Sequence, residues 1–123
     1  MIKLVQCVRR RPDLSIAEFR DAWERYGDRL AVAATELGAS GARLSTTLQT
    51  SVNEALTEAR GSAEPFDGVA EVLWPSGSEV VAAANVPWMR ERIAALRRDQ
   101  ASFLDVAASS FFFVHELDVL DEA

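Results

Sequence analysis

The sequence is poor in histidine and cysteine, with one residue of each in 123. The lone Cys7 cannot form an intramolecular disulfide, and one cysteine with one histidine cannot supply the ligands of a structural zinc site. A reducing, cytoplasmic setting is therefore expected, and no metal site. Because no glycine-rich phosphate loop and no serine, histidine and aspartate series is present, we expect no nucleotide or other cofactor.

Basic residues are fewer than acidic ones. The chain has 13 Lys and Arg against 19 Asp and Glu, a net charge of −6 and a pI of about 4.8, whereas nucleic-acid binders need a concentrated basic face. The arginine clusters at 9–10, 90–92 and 97–98 lie close to acidic residues, so we interpret them as solvated surface. No apolar run approaches the roughly 18 residues of a membrane span, and the N-terminus is basic after its apolar part, unlike a secretion signal. We expect neither nucleic acid nor membrane as partner.

The clearest secondary-structure pattern in the sequence is a helix that begins after Ser15. In "DLSIAEF", Ser15 can cap a helix, and Glu18 three residues later completes a capping box. Apolar residues then recur at steps of three and four from Ile16 to Leu37, and Gly38 provides a stop. The length fits a single domain, residues 1–123, with a real core.

Four other segments have strand patterns. They are "MIKLVQCV", a period-two stretch from Gly41, "FDGVAEVLW", and the aromatic "SFFFVHELDVL". A helical turn or two ending at Gly61 is expected before the third strand, and a second capping box at Ser76 and Glu79, followed by Pro87, predicts helix after it. The order strand, helix, strand, strand, helix, strand predicts an α+β, ferredoxin-like βαββαβ fold. Its antiparallel sheet carries both helices on one face.

The sheet face away from the helices is predicted to be apolar. Val69, Leu73, Phe111 and Phe113 can all point to that side. Soluble proteins rarely leave so much apolar surface open, so we expect a second copy of the chain to cover it as a homodimer.

The segments "MIKLVQCVRRRPDLSIAEFRDAW", "PFDGVAEVLW", "DQASFLD" and "SFFFVHE" together resemble the EthD-like family of the dimeric α/β-barrel superfamily over nearly the whole chain. The resemblance implies a homodimer whose two sheets face each other as a barrel, each half lined by an apolar pocket. It also implies kinship with cofactor-free monooxygenases, cyclases, dehydratases and degradative enzymes that act on hydrophobic metabolites, and with members that have no assigned reaction.

This chain departs from the family at one point. Members typically carry a histidine four residues after the tryptophan, often followed by a Pro-Leu pair, and a His or Tyr just before it. The matching tryptophan is Trp23, and the matching positions hold Ala22 and Gly27. A mechanism based on that histidine is therefore not available to this chain.

Two titratable residues are candidates for catalysis. Strand alternation puts Glu71 on the face away from the helices, where a carboxylate shielded from water can act as general base or acid. The alternative is an ion pair with Arg43 or with the partner subunit. His115 is predicted as a second proton-transfer or orienting group. Its alternative is an exposed strand end with no catalytic part.

Further side chains are candidates for contacting the substrate. Gln6 lies among apolar residues of the first strand, so its carboxamide needs a buried partner or a substrate carbonyl. Tyr26 lies on the apolar stripe of the helix, where aromatic residues usually belong to the core, yet its hydroxyl can reach a pocket rim. The remaining candidates are Arg43, Val69, Leu73, Trp88, Phe111 and Phe113.

These patterns and the resemblance predict a cofactor-independent enzyme. Its substrate would be a hydrophobic, cyclic or polyketide-like small molecule, and its reaction a cyclisation, dehydration or oxygenation. A different class is also open: because the usual family histidine is absent, the protein can instead bind a hydrophobic ligand as a carrier or sensor without transforming it. A third possibility is a structural dimer whose barrel is filled by Phe111, Phe113 and Trp88.

Overall fold

The computed structural model describes residues 1–120 and contains four strands and four α-helices. The strands are β1 Ile2–Val8, β2 Gly41–Thr46, β3 Gly68–Trp74 and β4 Ser110–His115. The helices are α1 Ile16–Glu36, α2 Ser51–Arg60, α3 Gly77–Ala84 and α4 Pro87–Ala101, and a 3-10 turn, Val106–Ala108, precedes β4. The predicted βαββαβ order is confirmed. The helical segment predicted to end at Gly61 is α2, and the further helix predicted from Pro87 is α4.

The four strands form one antiparallel sheet in the order β2-β3-β1-β4, which confirms the ferredoxin-like topology. On the helix side, Val8, Ala70 and Trp74 are buried. Because side chains alternate between the two faces of a strand, the odd-numbered residues of β3 lie on the opposite, outer face. Val69 and Leu73 lie there, as predicted.

Helix α1 begins as its sequence predicts. The backbone N–H of Glu18 donates to Ser15 Oγ at 3.0 Å, and the backbone N–H of Ser15 donates to Glu18 Oε1 at 2.9 Å. The helix ends before Gly38, whose φ of 73° suits a residue without a side chain. The stripe that it buries consists of Phe19, Trp23, Tyr26, Leu30, Ala33 and Ala34.

The capping box predicted for α3 is wrong. Ser76 is the N-cap residue, but its side chain caps no backbone N–H. Its hydroxyl oxygen instead lies 3.0 Å from Ser78 Oγ, so the two hydroxyls satisfy each other. Pro87 does open α4, where its missing N–H costs no helical hydrogen bond.

The faces of β4 are also the reverse of those predicted. Phe111 lies opposite Gln6 and Phe113 opposite Leu4, and both of these β1 residues face the helices. The prediction that Phe111 and Phe113 lie on the outer face is therefore wrong. A strand that is apolar on both faces does not indicate its own orientation, so only the pairing with β1 fixes it.

The "RRP" and "FDG" segments of the family resemblance meet at one end of the sheet. The backbone N–H of Arg10 donates to Asp67 Oδ2 at 2.9 Å, and the Arg9 guanidinium lies 4.3 Å from the centroid of the Phe66 ring. These two arginines were interpreted as solvated surface, but they hold the loop before β3 against the end of β1.

No helix within residues 1–120 is both long enough and apolar enough to cross a membrane.

Candidate functional site

A cavity of about 610 Å³ lies between the helix side of the sheet and helices α1, α3 and α4. This volume is in the range of small-molecule sites, roughly 300–1,000 Å³. Most of the lining is aliphatic or aromatic and includes Leu4, Leu30, Trp74, Ile93, Phe111 and Phe113. The polar side chains in the lining are Gln6, Tyr26, Arg97 and Gln100.

The cavity is therefore not on the side of the sheet where the barrel-lining pocket was expected. Ala33 and Ala34 of α1 line it, and their methyl side chains leave space between the helix and the sheet that larger residues would fill. Phe111 and Phe113 form part of its wall but do not fill it. The sequence pattern indicates which residues face the helices, but it does not indicate that their side chains leave a cavity there.

Three polar side chains form a hydrogen-bonded cluster in the cavity wall. The Tyr26 hydroxyl donates to Gln6 Oε1 at 3.0 Å. Gln100 Nε2 donates to Gln6 Oε1 at 3.1 Å and to the Tyr26 hydroxyl oxygen at 2.7 Å. The exposed fractions of Gln6, Tyr26 and Gln100 are only 4, 1 and 9%. The buried partner that Gln6 was predicted to need is thus supplied from α1 and α4.

This cluster retains free hydrogen-bonding capacity. Both hydrogens of Gln100 Nε2 are used, whereas Gln6 Nε2 and Gln100 Oε1 have no partner among residues 1–120. One carboxamide therefore offers donors and the other an acceptor. Because both side chains line the cavity, a bound molecule with a carbonyl or hydroxyl group can use them.

Burial determines the protonation state of Tyr26. Removal from water raises the pKa of its hydroxyl, and the hydrogen bonds with Gln6 and Gln100 offset only part of that rise. A tyrosine whose pKa lies above its usual value of about 10 is neutral at physiological pH. Tyr26 therefore acts in the cluster as a hydrogen-bonding group and not as a base.

Glu71 lies on the outer face and does not line the cavity. Its Oε2 is 3.2 Å from Lys3 Nζ, which also lies 2.5 Å from Glu116 Oε2. The hydrogen bond that Lys3 donates to Glu116 is the main reason that the pKa of Lys3 is raised. Arg43 is opposite Glu71 in the β2–β3 register, but the ion pair that Glu71 forms is with Lys3.

His115 and Trp88 also lie outside the cavity lining. His115 is exposed at the end of β4, opposite Ile2. Trp88 is 51% exposed in the first turn of α4, and the Arg92 guanidinium lies 5.8 Å from its ring centroid. Of the residues predicted for the site, the structure brings Gln6, Tyr26, Phe111 and Phe113 together at the cavity. It places elsewhere Glu71, His115, Arg43, Val69, Leu73 and Trp88.

Sequence reasoning missed Gln100 and Arg97. The sequence does contain a signal for Gln100. Met89, Ile93 and Leu96 form an apolar series at helical spacing, and Gln100, four residues after Leu96, is the next position of that series. A glutamine at such a position faces the core and needs a buried partner. Arg97 is predicted as solvated surface, although its spacing of four residues from Ile93 and three from Gln100 puts it beside the apolar series, which the spacing of Arg98 does not.

Gly27, at the position of the absent family histidine, faces strand β2 and not the cavity. A Cβ added at Gly27 would lie 3.0 Å from Leu44 Cδ2 in β2. Gly27 does not line the 610 Å³ cavity. The Leu44 side chain thus occupies the space next to this position.

The described part of the chain, residues 1–120, contains no group of three or more His, Cys, Asp or Glu side chains that could hold a metal ion. The cavity lining itself includes no carboxylate, imidazole or thiol side chain among these residues. Its chemistry therefore depends on carboxamides, one phenol and one guanidinium.

Comparison with known proteins agrees with this architecture. A model of the EthD domain matches residues 11–107. None of the curated proteins matches the sequence.

Several solved structures share the fold. A dimeric protein of unknown function with a ferredoxin-like fold from Bacteroides fragilis has a TM-score of 0.62 at 10% identity, over 94% of this chain and 95% of that one. An EthD family protein from Bacillus halodurans has a TM-score of 0.59 at 15% identity, over 95% and 99%. A mutant of SnoaB, a cofactor-independent oxygenase from Streptomyces nogalater, has a TM-score of 0.56 at 16% identity, over 98% and 97%. At these identities, the likeness establishes the fold alone.

Proposed function

The chain belongs to the EthD family, and we propose that it is a cofactor-independent enzyme acting on a hydrophobic, cyclic or polyketide-like small molecule. The observation that carries this proposal is the buried cluster of Gln6, Tyr26 and Gln100 in the wall of an apolar cavity. Apolar walls exclude water and orient a ring system, and a few fixed polar groups act on its oxygen atoms.

The free groups of the cluster suit a substrate with neighbouring carbonyl and hydroxyl groups. Gln6 Nε2 donates to the carbonyl oxygen and stabilises negative charge that develops on it, while Gln100 Oε1 accepts from the hydroxyl. Tyr26 is a positioning residue that holds both carboxamides in place. Where the reaction passes through an enolate of the substrate, the proton leaves to solvent water at the open side of the cavity, because the lining offers no base, and the same contacts stabilise the enolate oxygen.

The carrier or sensor function has its own supporting observation. No carboxylate, imidazole or thiol side chain among residues 1–120 lines the cavity, and Tyr26 is neutral. The site thus offers no strong base for catalysis. A protein that binds its ligand without converting it does not need one, so this lining also suits a carrier or sensor.

We also propose that two chains associate through their outer sheet faces. Val5, Val69 and Val114 are half-buried on that face, so part of each side chain forms an apolar surface beside the Lys3 ion pairs. The similar protein from Bacteroides fragilis is described as dimeric. A second copy would cover this surface and form the barrel.

A conversion assay tests the proposed function. Purified protein is incubated with a hydrophobic-metabolite extract of its host, and the small molecules are analysed by mass spectrometry before and after. For an enzyme, one compound changes its mass. Gln6→Leu is then expected to lower the rate roughly 100-fold, as for loss of one oxyanion donor. Native mass spectrometry reports whether Gln6→Leu still retains the compound.

Two control variants separate the faces of the sheet. Glu71→Gln and His115→Asn leave the cavity lining unchanged and are expected to keep the wild-type rate. If Glu71→Gln or His115→Asn abolishes conversion while Gln6→Leu does not, the reaction takes place outside the cavity. If the protein retains a compound without changing it, the carrier or sensor function replaces the enzymatic one.

A further inference from the structure

Among the cavity-lining residues within 1–120, Arg97 alone carries a charge. It has no salt bridge in the described part of the chain. Two other arginines of the helical layer have acidic partners, since Arg92 Nη1 lies 2.5 Å from Glu36 Oε1 and Arg29 Nη1 lies 2.5 Å from Asp99 Oδ2. Several more, such as Arg98, have none among residues 1–120, so it is the position in the cavity lining that distinguishes Arg97. Arg97 thus brings a positive charge without an acidic partner to the edge of an apolar cavity.

Its place on α4 sets Arg97 beside the polar cluster. Arg97 precedes Gln100 by three residues, so the two side chains share one face of the helix, with Cβ atoms about 5–6 Å apart. Arg97 is exposed and Gln100 is buried. The guanidinium therefore lies at the solvent side of the cavity, and the aliphatic stem of Arg97 can continue its apolar wall.

We infer that the cavity selects apolar ring compounds that carry one negative charge, and that Arg97 binds the anionic group. This inference rests on the proposed use of the cavity as a ligand site. A carboxylate or an ionised phenol or enol fits, because a guanidinium forms charge-assisted and often paired hydrogen bonds with such oxygens. The rings then occupy the apolar space, and the neutral carbonyl and hydroxyl groups reach Gln6 and Gln100.

Two fluorescent probes with the same rings test this selection. Anilinonaphthalene sulfonate carries a negative charge, and phenylnaphthylamine is its neutral counterpart. The wild-type protein is expected to bind the sulfonate more tightly. Arg97→Gln is expected to weaken sulfonate binding roughly ten-fold, the usual loss for one hydrogen bond to a charged group, and to leave binding of the neutral probe unchanged.

Control variants locate the effect. Arg98→Gln removes an equal charge next along the helix, from a residue that does not line this cavity, and is expected to leave both affinities unchanged. Val106→Trp enlarges a side chain that lines the cavity and is 46% exposed, so it can obstruct the entrance without overpacking the core. It is expected to weaken binding of both probes.

The outcomes distinguish this inference from the proposed function. If Arg97→Gln binds the sulfonate as tightly as the wild type, or if Arg98→Gln loses as much, Arg97 does not select anions, although the cavity still binds ligands. If neither probe binds, or if Val106→Trp leaves both affinities unchanged, the cavity is not the ligand site and the proposed function fails with it.

Discussion

At the scale of single residues, Gly68 is notable because its lack of a side chain leaves room for the buried indole of Trp23. A Cβ at this position would lie 2.6 Å from Trp23 Nε1, which is closer than a Cβ carbon approaches a non-bonded atom. That indole N–H donates to the backbone carbonyl of Ser45 at 3.0 Å. The glycine of the "FDG" segment is therefore required by the close approach of a buried tryptophan.

Gly68→Ala is expected to lower the free energy of unfolding by about 1–3 kcal/mol, because Trp23 must shift and its hydrogen bond to Ser45 weakens. Urea denaturation with an unchanged slope measures the loss. Gly41→Ala is the matched control, since its Cβ would lie no closer than 3.9 Å to Leu73 Cδ1. We expect it to stay within about 0.5 kcal/mol of the wild type. Equal losses in the two variants would contradict the role given to Trp23.

Single residues also show where sequence reasoning stops. The need of Gln6 for a buried partner follows from its apolar neighbours in β1, so it could be predicted. The identity of one partner could not be, because Gln6 and Gln100 are 94 positions apart. Local periodicity indicates which face a side chain occupies, whereas only the packing of α4 on the sheet brings the two carboxamides together.

At the scale of secondary-structure elements, α1 and α3 begin with the same residue types but with different contacts. Ser15 caps α1 through hydrogen bonds in both directions with Glu18. Ser76 occupies the N-cap position of α3, and its side chain caps no backbone N–H there. Comparing substitutions of Ser15 and Ser76 therefore measures how much the side-chain cap contributes to the free energy of unfolding.

Ser15→Ala is expected to lower the free energy of unfolding by about 1 kcal/mol, since it leaves a backbone N–H of the first turn without its acceptor. Ser76→Ala is expected to cost only a small part of that, because no cap hydrogen bond is lost. Thermal unfolding followed by circular dichroism compares the two variants. A larger loss for Ser76→Ala than for Ser15→Ala would be inconsistent with these caps.

The elements differ in how far their sequences determine them. Helix α1 could be predicted with its ends, because a capping box, an apolar stripe and Gly38 all indicate the same segment. Strand β4 could be predicted as a strand but not in its orientation. Its three successive phenylalanines, 111 to 113, give both faces the same character, so the pairing with β1 alone determines which of them face the helices.

At the scale of the whole molecule, the sheet separates two surfaces of different chemistry. The helix side holds the cavity and its neutral cluster of Gln6, Tyr26 and Gln100. The outer side holds Lys3 with its two carboxylate partners. The order of elements predicted the fold, but it did not indicate which side carries the site. That depends on side-chain volumes at the helix–sheet interface, such as those of Ala33 and Ala34.

The outer face also determines the expected assembly of the molecule. Light scattering after size-exclusion chromatography is expected to give twice the chain mass of 13.5 kDa. Val69→Lys is expected to give the single-chain mass. In a two-fold dimer both subunits would place a lysine in the interface, and like charges that face each other cost several kcal/mol. Val32→Lys, at a position of α1 that is 54% exposed, adds the same charge on the helix side and should leave the dimer intact. A single-chain mass for the wild type, or a dimer that survives Val69→Lys but not Val32→Lys, would move the interface away from the sheet.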